Sequence, residues 1–188
     1  LNPRNHETID RLADLEAPIG MAERGDAMAA LQVSEYYATG CMSDRGIPQD
    51  ADKATEFRNK AREYAISLVE KGDNYYHEKN GFSRDFEKAF KYYMDAARCD
   101  HHWGYFNVGT CYLEGQGVTK NDDEARIWFR KAEKKEDNPW ATYWLAELGD
   151  AIAALRVSGY YATGSKSGWG MEKNPDKSED FYTKAKNF

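Results

Sequence analysis

One short pattern recurs four times along the 188 residues: a small residue, an aromatic three positions on, and alanine seven positions on. It reads Ala54, Phe57, Ala61; Ala89, Tyr92, Ala96; Ala125, Trp128, Ala132; and Ser178, Phe181, Ala185. Positions i, i+3 and i+7 share one helical face, so each copy predicts an amphipathic helix with a narrow contact stripe. Alanine at most stripe positions lets a neighbouring helix come close. Upstream of the stripes stand Tyr37, Tyr76, Tyr112 and Tyr161, at separations of 17, 13, 13 and 17 residues. Between tyrosine and stripe lie turns such as Glu114-Gly115-Gln116-Gly117-Val118 and Asn80-Gly81-Phe82. Glycine there supplies the positive φ that ends a helix, and the Asn or Asp that follows caps the next one.

The unit is therefore helix, turn, helix, and its apolar stripe is buried only by stacking on further copies. The anchors at 54, 89, 125 and 178 give spacings of 35, 36 and 53. The first two belong to the tetratricopeptide size class. The excess in the third falls at 138–148, where Pro139 opens and Gly149 closes a segment that reads as an inserted helix. Residues 21–40 recur at 145–164 with 15 of 20 identities. The offset of 124 persists through Asp52/Asp176, Lys53/Lys177, Phe57/Phe181 and Ala61/Ala185. The first and last units are copies of one module, including the helix that precedes it.

Composition narrows the function classes. A chain with 13 Tyr, 8 Phe and 5 Trp is too aromatic to be disordered. A net charge of −6 argues against a nucleic-acid partner, which selects a basic face. No apolar run approaches the roughly 20 residues a membrane span needs. Cys41, Cys99 and Cys111 lack CxxC spacing and read neither as a disulfide framework nor as a zinc site. His101-His102 reads as a solvated helix start, because adjacent helical residues point to different faces. No nucleophile elbow, HExxH or phosphate loop is present, so the chain reads as no enzyme and calls for no cofactor or metal. Leu1 in place of Met fits a removed signal peptide and a trimmed boundary equally, leaving bacterial periplasm and cytoplasm both open.

These residues resemble the Sel1-like repeat family of tetratricopeptide-type solenoids. The third unit fits best, through Gly104, Val108-Gly109, Tyr112, Gly115, Gly117-Val118, Lys120, Asp122, Ala125, Trp128-Phe129 and Ala132. The first and fourth fit through Ala30/Ala154, Val33/Val157, Tyr37/Tyr161 and Gly40/Gly164, with Ser34 and Ser158 where the family places glycine. The expected fold is all-α, an α/α solenoid. It is a right-handed superhelix of four helix pairs with an N-terminal helix and one inserted helix. One repeat domain spans 1–188: a capping helix in 1–24, repeats at 25–62, 63–98 and 99–137, the inserted helix at 138–148, and the last repeat at 149–188. The first helix of the second repeat, around Tyr64 to Tyr76, is degenerate.

The resemblance implies a non-enzymatic module that holds a protein partner in a concave groove. A bacterial immunity or inhibitor protein for a secreted toxin or effector is its most concrete form. Recognition of a glycan or cell-wall polymer through exposed aromatics is the alternative. In this fold class the first helix of each pair lines the groove. That places Trp103, Phe106, Thr110 and Leu113 on the binding face, with Met28, Leu31 and Glu35, and Ile152, Leu155 and Gly159, as equivalents. Trp140, Tyr143 and Trp144 of the inserted helix and Trp169 of the last turn join them as extra partner contacts. Phe181 and Phe188 in the last helix are left to a partner or a second copy for cover, which admits a homo-oligomer.

Overall fold

The computed structural model describes residues 16–40, 49–136, 138–164 and 170–188. Among them no strand occurs, and the chain is a succession of helices, each packed on the next. Residues 16–23 form α1, followed by α2 (Ala27–Thr39), α3 (Ala51–His77), α4 (Phe86–Arg98) and α5 (His102–Glu114). Then come α6 (Asp122–Glu136), α7 (Pro139–Glu147), α8 (Ala151–Thr163) and α9 (Pro175–Asn187). The inserted helix is thus α7, and α1 stands where the N-terminal capping helix was expected; residues 1–15 lie outside the described residues, as do Cys41 and Trp169.

The caps explain where the helices start. Asp26, Asp50, Asp85, Asn138, Asp150 and Asn174 each turn a side-chain oxygen onto a backbone N–H of the helix they precede. Each second helix is also tied back to its first. The N-cap N–H groups of Asp50, Asp85, Asn121 and Asn174 donate to the carbonyls of Tyr37, Tyr75, Tyr112 and Tyr161.

That bond corrects the register of the second repeat, whose marker tyrosine is Tyr75 and not Tyr76. Two contacts and one spacing agree. Tyr75 stacks on Tyr92 (5.8 Å, 9°) as Tyr37 stacks on Phe57 (6.0 Å, 17°) and Tyr161 on Phe181 (6.0 Å, 20°). Lys88 lies over the Tyr75 ring at 5.3 Å, as Lys53 and Lys177 lie over Tyr37 and Tyr161 at 5.1 and 5.2 Å. Gly72, three residues before Tyr75, matches Gly109 three before Tyr112.

A second departure lies at the boundary expected between residues 62 and 63. No turn separates the two repeats there: α3 runs unbroken for 27 residues, about 40 Å. Arg62-Glu63-Tyr64-Ala65-Ile66-Ser67-Leu68-Val69-Glu70-Lys71 contains no Gly, Pro or Asn. Nothing along it favours leaving the helix. The junctions on either side of the third repeat do leave the helix. Asp100 sits in the left-handed region (φ 60) between α4 and α5, and Asn138-Pro139 begins α7. So α2 packs on the first part of α3, and α4 on its later part.

Two apolar clusters run along the stack. One joins α1 to α5 around Val33, Phe57, Val69, Tyr93 and Val108; the other joins α6 to α9 around Phe129, Leu145, Val157 and Phe181. Asp100 ties the repeats at the junction. Its carboxylate accepts from Arg62 Nη2 (2.9 Å), from Tyr105 Oη (2.9 Å) and from Lys135 Nζ. Phe181, expected to lack cover, is buried between Tyr161 and Tyr143, whereas Phe188 is exposed.

Candidate binding surface

The helices α2, α5 and α8 and the later part of α3 are the first members of their pairs, and their outward faces are built from side chains the second helices do not use. On α5, Trp103 and Phe106 meet edge to face at 5.7 Å, and Phe106 lies 5.7 Å from the buried Phe129. Thr110 donates its hydroxyl to the carbonyl of Phe106 (3.2 Å). Trp103, Phe106, Thr110 and Leu113 are all half-buried. They form the flank of the stack: Trp103 packs against the first cluster, Phe106 and Leu113 against the second.

On α7, Tyr143 is the hub. Its ring contacts Trp140 (6.1 Å), Trp144 (5.4 Å) and Phe181 (5.4 Å). Tyr143 and Trp144 border the same cluster as Phe106 and Leu113, so the structure gathers four of the expected residues around one core and leaves Trp140 at the surface. Burial, with Glu147 beside it, pushes the Tyr143 phenol above its ordinary pKa. A cleft of about 460 Å³ opens beside Tyr143, walled by Glu147, Phe181 and Lys184.

Sequence reasoning placed Ile152 and Leu155 only as equivalents of the α5 residues, yet they are the most exposed of the large apolar residues it placed on this face. Ile152 is 74% exposed and Leu155 49%. With Gly159 they form an i, i+3, i+7 stripe along α8. Their duplicates on α2 behave differently. Met28 and Leu31 are half-buried on the first cluster, and the Cys99 thiol reaches the Ala27 carbonyl (3.7 Å) and the Met28 sulfur (4.0 Å). Tertiary neighbours, not the side chains, decide the difference. The signal in the sequence was the duplication itself, which gave α2 and α8 nearly the same residues in different surroundings.

Burial pushes the thiols of Cys99 and Cys111 up to about 12, which keeps them protonated and unreactive. His101, expected to be solvated, is instead buried, and it stacks on His102 at 4.9 Å because it is the N-cap of α5 and not a helical residue. Among the described residues no group of three or more His, Cys, Asp or Glu is arranged to hold a metal ion. No helix is long and apolar enough to cross a membrane, again among the described residues.

Comparison with known proteins places the repeats. A family described as Sel1 repeat matches residues 27–73, 72–101, 104–137 and 151–187. Among curated proteins, cytochrome c oxidase assembly factor 7 of Xenopus tropicalis is 33% identical over 85 residues, 44% of this chain and 37% of its own length. The ERAD-associated E3 ubiquitin-protein ligase component HRD3B of Arabidopsis thaliana is 29% identical over 100 residues, 53% of this chain and 15% of its own. The matched stretches thus span about a third or less of these relatives. Among solved structures, a Sel1 repeat protein from Oxalobacter formigenes is 26% identical with a TM-score of 0.43, covering 71% of this chain and 98% of that one.

Proposed function

The chain belongs to the Sel1 repeat family, and from that premise we propose that it is a non-enzymatic adaptor holding a protein partner along the first helices of its pairs. Sel1 repeats are protein–protein interaction modules. The observation that carries the reading here is the α8 stripe, where Ile152 and Leu155 stand 74% and 49% exposed with no hydrogen-bonding duty. An isolated exposed leucine needs no explanation, but two branched aliphatics one helical turn apart suit a partner's apolar ridge. Trp103, Phe106, Thr110 and Leu113 of α5 extend the proposed face, and Trp140, Tyr143 and Trp144 flank it. The narrowest form of the proposal, a solenoid that covers the cleft of a secreted toxin, rests on family resemblance, and the partner's identity decides it.

The test is affinity capture from the source organism with the wild-type chain and with Ile152→Glu/Leu155→Glu. The charges stand at exposed positions, so circular dichroism stays unchanged. A protein recovered stoichiometrically by the wild type and lost by the variant supports the adaptor. Retention on cell-wall polymer with no stoichiometric protein would replace it with the glycan alternative.

A further inference from the structure

The duplication offers an internal template for how one unit of this stack recognises the next. In the interior, α6 docks on the α7–α8 pair. Arg126 donates to the Leu148 carbonyl (2.8 Å) and Arg130 to the Asp150 carboxylate (2.9 Å). Glu133 accepts from Arg156 (2.5 Å) and from Thr142 (3.0 Å). Beneath these polar contacts Phe129 and Ala132 of α6 share a buried cluster with Ala141 and Leu145 of α7.

Residues 21–40, from the end of α1 through α2, are the sequence copy of 145–164, from the end of α7 through α8, and among the described residues nothing covers their docking face as α6 covers that of α7–α8. Leu145 is 1% exposed where α6 covers it, but its counterpart Met21 is 43% exposed. A cleft of about 680 Å³ occupies this face, lined by Pro18, Met21, Met28, Leu31 and Glu35. At the other end of the stack, α9 is the counterpart of α6, with N-cap Asn174 in the place of Asn121. On the corresponding face Phe129 of α6 is fully buried, whereas the matching Tyr182 is 41% exposed.

We infer that the two ends are complementary, and that α9 of one copy of this chain docks in the α1–α2 cleft of another, head to tail, as α6 docks on α7–α8. The polar positions fit this pairing. Glu179 takes the place of Arg126 and Arg24 that of Leu148, so an acidic side chain meets a basic one. Thr183 replaces Arg130 opposite Asp26, and Lys186 replaces Glu133 opposite Gln32, with Glu35 one turn further on. No like charges are brought together at these positions. The apolar centre becomes Tyr182 and Ala185 against Ala17 and Met21. A heterologous contact of this kind closes into a ring or extends the solenoid as a filament.

Sedimentation of the purified full chain over a wide concentration range tests this. The wild type is expected to self-associate. Met21→Asp blocks the head and Tyr182→Asp the tail, each weakening association about tenfold or more by placing a charge in the contact. Both sites are exposed, so each variant folds and sediments as a single chain. An equimolar mixture of the two variants joins one intact tail to one intact head and stops at a dimer. Glu179→Arg and Arg24→Glu each weaken association, and the chain carrying both regains it. A wild type that stays at single-chain mass at every concentration overturns the inference. So does association that survives both blocking substitutions, or a mixture that forms no dimer.

Discussion

Gly72 and Gly109 sit at equivalent points of their helices, and each is pressed by an aromatic ring from the paired helix, Tyr93 and Phe129. The end modules carry Ser34 and Ser158 there. Ser34 donates its hydroxyl to the Ala54 carbonyl (2.8 Å), and Ser158 bonds the Ser178 hydroxyl (3.2 Å). Glycine goes with a buried aromatic opposite, serine with Arg58 or the exposed Tyr182 at that place. The residues were visible in the sequence, but the pairing was not, because it needs the register across two helices. Gly109→Ala puts a methyl 2.8 Å from the Phe129 ring and should cost about 1–3 kcal/mol. Gly159→Ala, with nothing within 4 Å, should instead stabilise by about 0.5–1 kcal/mol. Thermal denaturation separates the two, and equal shifts would sink the packing argument. Cys99 and Cys111 should resist a thiol reagent at pH 8 until the protein unfolds, read in a Cys41→Ser background; rapid labelling of the native chain would contradict their burial.

Asp100 belongs to this scale as well. Burial raises the pKa of its carboxyl, but the hydrogen bonds from Lys135 and Tyr105 and the charges of Lys135 and Arg62 outweigh burial and hold it below the usual carboxylate range. The folded value lies below the unfolded one, so the stability it contributes is present above the unfolded pKa of about 4 and is lost as pH falls through the folded value. Asp100→Asn should therefore lower the melting temperature at pH 7 and converge on the wild type under acid. A gap that stays constant with pH would show that charge is not what Asp100 contributes.

Among the elements, α3 is where the repeat pattern misled. A helix-pair logic demands a turn between residues 62 and 63, but ten residues without a helix breaker carry the helix through. The same unbroken run hid the register, since Tyr75 and Tyr76 adjoin and only Tyr75 makes the backbone bond and the stack. Glu63 is exposed, so it offers a clean test. Glu63→Pro should destabilise by about 3 kcal/mol and Glu63→Ala hardly at all. Tolerance of proline, as at the Pro139 junction, would mean that α3 is two helices.

For the whole molecule, repeat number, helix order and the duplicated end modules were all legible, because periodicity and internal identity are properties of the chain alone. The proposed binding face was legible only in part. The α5 aromatics were recognised, yet they are half-buried, and the exposed stripe lies on α8, whose exposure depends on what packs beside it. The most direct test of the adaptor account is a photo-crosslinking residue placed at position 152 in the source organism, with position 127 as control. Ile127 is also exposed, at 48%, but lies on α6, a second helix outside the proposed face. The account predicts a discrete adduct with another protein from position 152 and none from 127. Absence of an adduct at 152, or equal adducts at both, would contradict it.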